Sequence, residues 1–143
     1  MNGTRYRLAA FACLASLATT MACSDDGDPV QGPEGIYTAT ALSVSDDGDV
    51  TDLLAAGAQL AITLTSAGTT SGTLVVPAAF TESGTEETFS LAGTYHYDSA
   101  TGAVTFEQAA DTFIRDTDWT LSGNELHGVL INGTTTVTAT LRR

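Results

Sequence analysis

Apolar and polar side chains alternate along most of the chain beyond residue 35, with turn-forming residues between short runs. In one run, Leu60, Ile62 and Leu64 fall on one face and polar or small residues fall on the other. The same period of two recurs in the runs 74–76, 89–97, 104–106, 119–121, 126–130 and 137–141. A period of two is typical of half-buried antiparallel strands, and the runs predict about eight of them.

Turn signals separate these runs at short intervals. Asn132-Gly133 is the strongest of them, because both residue types tolerate positive φ angles. The stretches Ser122-Gly123-Asn124 and 99–102 (SATG) are similar. Only Asp49–Gly57 has the features of a short helix or lid, with Asp49 or Thr51 to cap it and Gly57 to end it.

The predicted fold class is all-β. Parallel pairing needs long crossover connections, and the chain has none between these runs. The pattern favours an eight-stranded antiparallel up-and-down meander barrel, because sequential connections suit it and closure leaves no exposed strand edges. A two-sheet β-sandwich is the alternative.

The first 22 residues have the features of a secretory signal peptide. Residues 1–7 carry Arg5 and Arg7, and an apolar stretch follows that is shorter than the ~20 residues a membrane-spanning helix needs. Cys23 comes directly after this stretch. The sequence thus predicts a signal peptide at 1–22, an acidic flexible tether at 23–34 and a barrel domain at 35–143.

The stretch Thr20-Met21-Ala22-Cys23 resembles the cleavage motif of bacterial lipoprotein precursors, although Thr20 stands where leucine is usual. The resemblance implies that Cys23 is acylated and anchors the protein to a membrane. Ser24 after the cysteine implies the outer membrane of the cell envelope rather than the inner one. Plain secretion into the periplasm or medium is the alternative.

A second resemblance concerns the two ends of the domain. Gly35-Ile36-Tyr37 and the terminal Arg142-Arg143 resemble the start and end of small bacterial lipocalin-like lipoproteins. In that pattern an arginine packs over an aromatic ring where the barrel closes. The segment Phe113–Trp119 also looks like the central part of uncharacterised proteins of this kind. The resemblance implies a lipocalin-like fold and a capacity to bind a ligand, and it supplies no catalytic residue.

The strongly negative charge of the chain argues against nucleic acid as a partner. The chain has 17 acidic residues, five arginines and no lysine, for a formal net charge of -12. Such a chain lacks the basic surface that nucleic acid requires. The acidic pentapeptide SDDGD occurs at residues 24–28 and again at 45–49. The first copy belongs to the predicted tether, and the second is expected to be a solvated loop whose aspartates cap the predicted helix.

No motif predicts catalysis, a metal or a cofactor. A calcium loop starting at Asp47 would need glycine at the position of Asp52 and an acid at the position of Ala58. His96 and His127 alternate with the apolar residues of their strands, so their side chains should point outward. The carboxylates around Arg115 are expected to form a local ion pair; they are Glu107, Asp111, Asp116 and Asp118. We therefore expect a non-enzymatic protein, without cofactors and monomeric.

One aromatic group remains as a candidate site. Tyr95, Tyr97, Phe106 and Trp119 should project into the barrel, where they either line a pocket for a small hydrophobic ligand or fill the interior. Two functions follow from these alternatives. The first is a membrane-tethered protein that binds a small apolar ligand inside the barrel, and the second is a structural or protein-interaction lipoprotein with a filled barrel.

Overall fold

The computed structural model describes residues 32–143. In this part of the chain the strands are β1 (Gly35–Asp46), β2 (Asp49–Asp52), β3 (Gln59–Leu64), β4 (Thr69–Val76), β5 (Glu87–Ser90), β6 (Gly93–Asp98), β7 (Ala103–Gln108), β8 (Asp118–Ser122), β9 (Glu125–Asn132) and β10 (Thr135–Arg142). A 3₁₀ turn at Ala78–Phe80 and a short helix, α1 (Phe113–Asp116), complete the set.

Eight of these strands form a closed antiparallel barrel. Their order around the barrel is β1, β3, β4, β6, β7, β8, β9 and β10, and β10 pairs with β1 to close it. β2 pairs with the second half of β1, and β5 pairs with the second half of β4. The predicted all-β, up-and-down barrel is confirmed, and it is compatible with a lipocalin-like fold.

The alternation in the sequence sorts side chains between the interior and the surface. Leu60, Ile62 and Leu64 on β3 are each at most 2% exposed, while their neighbours are partly or fully exposed. The same alternation holds along β7, where Val104 and Phe106 are buried. Burying a large apolar side chain contributes about 1.5–3 kcal/mol, so these inward rows supply the main driving force for the fold.

The expected helix at Asp49–Gly57 is wrong. Asp47 (φ 49°) and Gly48 (φ 95°) form a tight turn, and Asp49–Asp52 then pairs with Ser43–Asp46 of β1. The unpaired backbone of the long strand β1 offers more hydrogen bonds than a single helical turn, and an Asp-Gly pair favours a hairpin. Asp52 ends the strand by accepting a hydrogen bond from the Ala55 N–H at 3.1 Å.

The strand order gives the barrel two different ends. The arginine end carries the start of β1, the turns 65–68, 99–102 and 123–124, and Arg143. The loop end carries the β1–β2 and β9–β10 turns, the loop 77–86 and the segment 109–117 with α1. The connections longer than the hairpin turns therefore lie at the loop end, and the 53–58 segment, which leads from β2 into β3, also borders this end.

Candidate ligand-binding site

Two of the four predicted site residues pack against each other inside the barrel. The Phe106 and Trp119 rings meet edge to face, with centroids 5.9 Å apart and planes at 83°. Trp119 is 2% exposed, and its Nε1–H donates a hydrogen bond to the carbonyl oxygen of Ile114 in α1 at 2.9 Å. Both rings therefore fill the middle of the barrel beneath α1.

The other two predicted residues lie towards the arginine end. The Tyr95 hydroxyl donates to the carbonyl oxygen of Thr65 at 2.7 Å, and burial raises the pKa of Tyr95. Tyr97 is partly buried against the core. In the strand register Tyr95 lies opposite Phe106, and Tyr97 lies opposite Val104, which in turn lies opposite Trp119.

The arginine end is closed by a contact that the lipocalin resemblance implied. The Arg143 guanidinium lies 5.5 Å from the centroid of the Tyr37 ring. Arg143 also donates to the carbonyl oxygen of Gly32 at 2.7 Å and to that of Glu34. The terminal arginine therefore ties the start of the described chain to the end of β10. Arg142 instead pairs with Glu125 on the surface.

Tyr37 gives the arginine end a dependence on alkaline pH. Tyr37 is fully buried and its hydroxyl donates to the Pro33 carbonyl at 2.9 Å. Burial raises the pKa of Tyr37, although the positive charge of Arg143 acts in the opposite direction. A raised folded-state pKa gives stability that is fully present below the unfolded pKa of about 10 and is lost as pH rises above it.

We therefore expect Tyr37→Phe to cost about 0.5–1.5 kcal/mol at neutral pH through the lost hydrogen bond. The difference from the natural protein should shrink at about pH 11, because phenylalanine does not ionise. Urea denaturation at both pH values measures this. A difference that stays constant would show that Tyr37 does not titrate with unfolding.

The loop end holds an apolar cavity of about 250 Å³. The strands β1, β4 and β10 supply inward-facing residues, and the loops cover them. All of the lining side chains are apolar, and they are Leu42, Val44, Leu53, Ala58, Leu74, Val76, Pro77, Phe80, Phe113 and Val137. Phe80 at its edge remains 40% exposed, which is unusual for a ring that forms part of an apolar wall.

A second pocket, of about 370 Å³, adjoins this cavity because Leu74, Val76, Phe80 and Phe113 line both. We call it the vestibule. Its remaining lining residues are Thr81, Glu82, Glu87, Phe89, Asp111 and Thr112. The loop end thus combines an apolar compartment with one whose wall carries three carboxylates.

None of Tyr95, Tyr97, Phe106 and Trp119 lines the cavity or the vestibule. The residues that do line them come partly from inward strand positions, which the alternation had identified, such as Leu74 and Val137. Phe80 and Phe113 were not identified, because they lie in loop segments without periodicity. The one available signal was an aromatic residue within each of the two longest connections.

The other polar candidates lie apart from this site. His96 and His127 are exposed, as expected. Arg115 forms ion pairs with Asp111 and with Asp116, the latter at 3.0 Å, and such surface pairs contribute about 0–1 kcal/mol. Glu107 and Asp118 are exposed on β7 and β8.

Within residues 32–143, no three or more His, Cys, Asp or Glu side chains are grouped to hold a metal ion. No helix in the same range has the length and apolar character required to cross a membrane. The predicted signal peptide at 1–22, Cys23 and most of the predicted tether at 23–34 lie outside the described residues. The strand β1 begins at Gly35.

Comparison of the chain with protein-family models, with curated proteins and with solved structures finds no match. The class of the protein is therefore defined by its own fold and site. It is a closed eight-stranded antiparallel barrel with a packed middle, an arginine-closed end and an apolar cavity at the loop end.

Proposed function

We propose that this protein is a membrane-tethered, non-enzymatic lipoprotein of the bacterial cell envelope that binds a small apolar ligand at the loop end of its barrel. The apolar cavity carries this proposal. Ligand sites are concave and mostly apolar, with a few polar groups near them, and the cavity with its vestibule has this composition. The cavity is small, so the proposed ligand is small or inserts only part of its length.

The direction of chain entry supports the same function. Residues 32–34 reach the barrel at the arginine end, where Arg143 holds them. A tether from an acylated Cys23 would therefore leave the barrel at the end opposite the cavity. The attachment point would then leave the loop end unobstructed for a ligand.

A structural or protein-interaction lipoprotein is the second candidate. The edge-to-face contact between Phe106 and Trp119 favours it, because these two buried side chains pack against each other inside the barrel. The two functions differ in whether the loop-end cavity binds anything.

Binding is tested with the fluorescent apolar probe N-phenylnaphthylamine, whose emission rises on transfer from water to an apolar site. We expect the natural protein to bind it and Val137→Phe to bind it at least about tenfold more weakly, a loss of about 1.4 kcal/mol. The added ring would occupy the cavity that Val137 lines. Val50→Phe, the same change at a position that is 71% exposed on β2, is the control. Equal binding by both variants would place the probe elsewhere.

The anchor is tested separately. We expect Cys23→Ala to release the protein from the membrane fraction, because two or more acyl chains give stable anchoring at about 0.8 kcal/mol per buried methylene. Cell fractionation and immunoblotting measure the distribution. Cys13→Ala in the predicted signal peptide is the matched control and should leave the protein bound. If the Cys23→Ala protein stayed in the membrane fraction, acylation at Cys23 would be wrong.

A further inference from the structure

Two neighbouring rows of inward side chains border the apolar cavity. The upper row includes Val44 of β1 and Val137 of β10, which lie opposite each other and both line the cavity. Both side chains are only partly buried. The next inward position along each strand is two residues away, a distance of roughly 6.5 Å. The residues at these next positions therefore decide how deep the cavity reaches.

The lower row is buried. Its members lie opposite one another in turn across four strands, and they are Leu42, Ala139, Gly128 and Trp119. The side chains of Leu42, Ala139 and Trp119 are at most 2% exposed. The Trp119 indole covers Gly128, since a Cβ atom at Gly128 would lie 2.6 Å from its Cε3. Of these four residues only Leu42 lines the cavity, so the row lies beneath the cavity with Leu42 at its floor.

The other side of the cavity leads outward. Phe80 at its edge is 40% exposed, and the vestibule shares Phe80 and Phe113 with the cavity. All of the side chains that line the cavity are apolar, so a polar atom inside it would lose its hydrogen bonds to water without replacement. The wall of the vestibule has hydroxyl and carboxylate groups, beside which a polar group stays hydrated. A molecule with an apolar and a polar end therefore fits with its apolar end first.

The volume of the cavity limits the length of that apolar end. An apolar protein cavity of about 150 Å³ holds benzene, which has six carbon atoms. In proportion, the cavity of about 250 Å³ has space for roughly ten carbons. Each methylene that leaves water for the cavity raises the affinity about fourfold, and a methylene that stays in water adds little.

We infer that the ligand is an amphiphile with one hydrocarbon chain, that the terminal segment of roughly ten carbons fills the cavity while the polar head stays in the vestibule, and that Leu42 in the lower row sets this length. The inference rests on the proposed function. A longer chain would leave its remaining carbons in the vestibule and in water.

The test uses alkyl glucosides, which share one uncharged head group and differ only in chain length. Glucosides with six, eight, ten, twelve and fourteen carbons, and octanol, compete with N-phenylnaphthylamine for the purified protein below their critical micelle concentrations. We expect the affinity to rise about fifteenfold for each two carbons up to about ten, and less than about threefold for each two beyond.

The outcomes of this series separate the inference from the proposed function. An undiminished rise to fourteen carbons, no rise beyond six carbons, or competition by octanol alone would overturn the inference and leave the proposed function intact. Failure of every glucoside and of octanol to compete would contradict the proposed function itself.

Leu42→Ala should move the limit to longer chains, because it removes an isopropyl group from the floor of the cavity. In this variant the step from ten to twelve carbons should increase to about tenfold. Leu141→Ala removes the same group from a leucine that is also 1% exposed but does not line the cavity, and it should keep the natural limit. A limit that stays unchanged in Leu42→Ala, or moves equally in both variants, would overturn the role of Leu42.

Ala58→Val tests the limit in the opposite direction and does not depend on the stability of Leu42→Ala. Ala58 is 6% exposed and lines the cavity, so the added methyl groups take up space in it. The step from eight to ten carbons should fall to less than about threefold, while the six-carbon glucoside binds as before. Ala103→Val, the same change at an exposed position on β7, should leave the series unchanged. An unchanged series in Ala58→Val would contradict a limit set by the cavity volume.

Discussion

Trp119→Ala should lower the free energy of unfolding by about 3–5 kcal/mol, the range for removing a large aromatic side chain from a core. Trp119 is 2% exposed and contacts Phe106 edge to face. The variant also removes the hydrogen bond from Nε1 to the Ile114 carbonyl oxygen, which holds α1 over the barrel. Three losses therefore occur together: burial, ring contact and the attachment of α1.

Urea denaturation followed by far-UV circular dichroism measures this change, because the protein has no second tryptophan to report by fluorescence. Phe80→Ala is the matched control at the loop end, where the ring is 40% exposed. It should cost clearly less than Trp119→Ala. A loss of less than about 1 kcal/mol for Trp119→Ala, the size of an ordinary surface or near-surface change, would contradict a packed middle layer.

Gly128→Ala should destabilise the protein by about 1–3 kcal/mol, the usual cost of overpacking a core. Gly128 lies opposite Trp119 on the neighbouring strand β9, and the indole ring covers it. A Cβ atom at Gly128 would lie 2.6 Å from Cε3 of Trp119, well inside van der Waals contact. The ring would have to move, and α1 is attached to that ring.

A double-mutant cycle identifies the cause of this cost. In the Trp119→Phe background the smaller ring leaves more space, so adding Gly128→Ala should cost less than it does in the natural protein. Residues in direct contact typically show coupling of about 0.5–3 kcal/mol. Additive effects of the two changes would show that the contact between Trp119 and residue 128 is not what requires glycine there.

The sequence was sufficient to predict the barrel because apolar residues recur at every second position along most of its strands. The alternation at Leu60, Ile62 and Leu64 indicates which side chains point inward. The hairpin predicted at Asn132-Gly133 is present, but its turn lies one residue later, at Gly133 (φ 62°) and Thr134, because Asn132 still pairs with Thr135. Short sequential connections then leave few topologies. The contact of Arg143 with Tyr37 followed from a resemblance at the two chain ends, and no local pattern pointed to it.

The misassigned segments are those in which long-range contacts decide the structure. Asp49–Gly57 has helix-capping residues, but the free edge of β1 pairs with its first four residues. α1 has four residues, which is too short for a periodic signal. In both segments, contacts with a distant part of the barrel wall determine the structure. They are made with β1 in the first segment and with Trp119 in the second.

The site was harder to place than the fold for a related reason. Periodicity assigns a side chain to the inward face of a strand but gives no information on its height within the barrel. Phe106 and Trp119 face inward as expected, and their rings contact each other edge to face. The cavity forms where Phe80 and Phe113 fold over the strand ends. That arrangement depends on loop conformation.

The location of the bound chain tests the central claim most directly. We suggest titrating the protein with octanol while recording methyl ¹³C–¹H NMR spectra with assigned leucine and valine signals. The account predicts shifts at Val44, Val76 and Val137 in the loop-end cavity, and unchanged signals from Leu126 and Leu141 towards the arginine end. Shifts confined to Leu126 and Leu141, or no shifts at any octanol concentration below its solubility, would contradict a ligand site at the loop end.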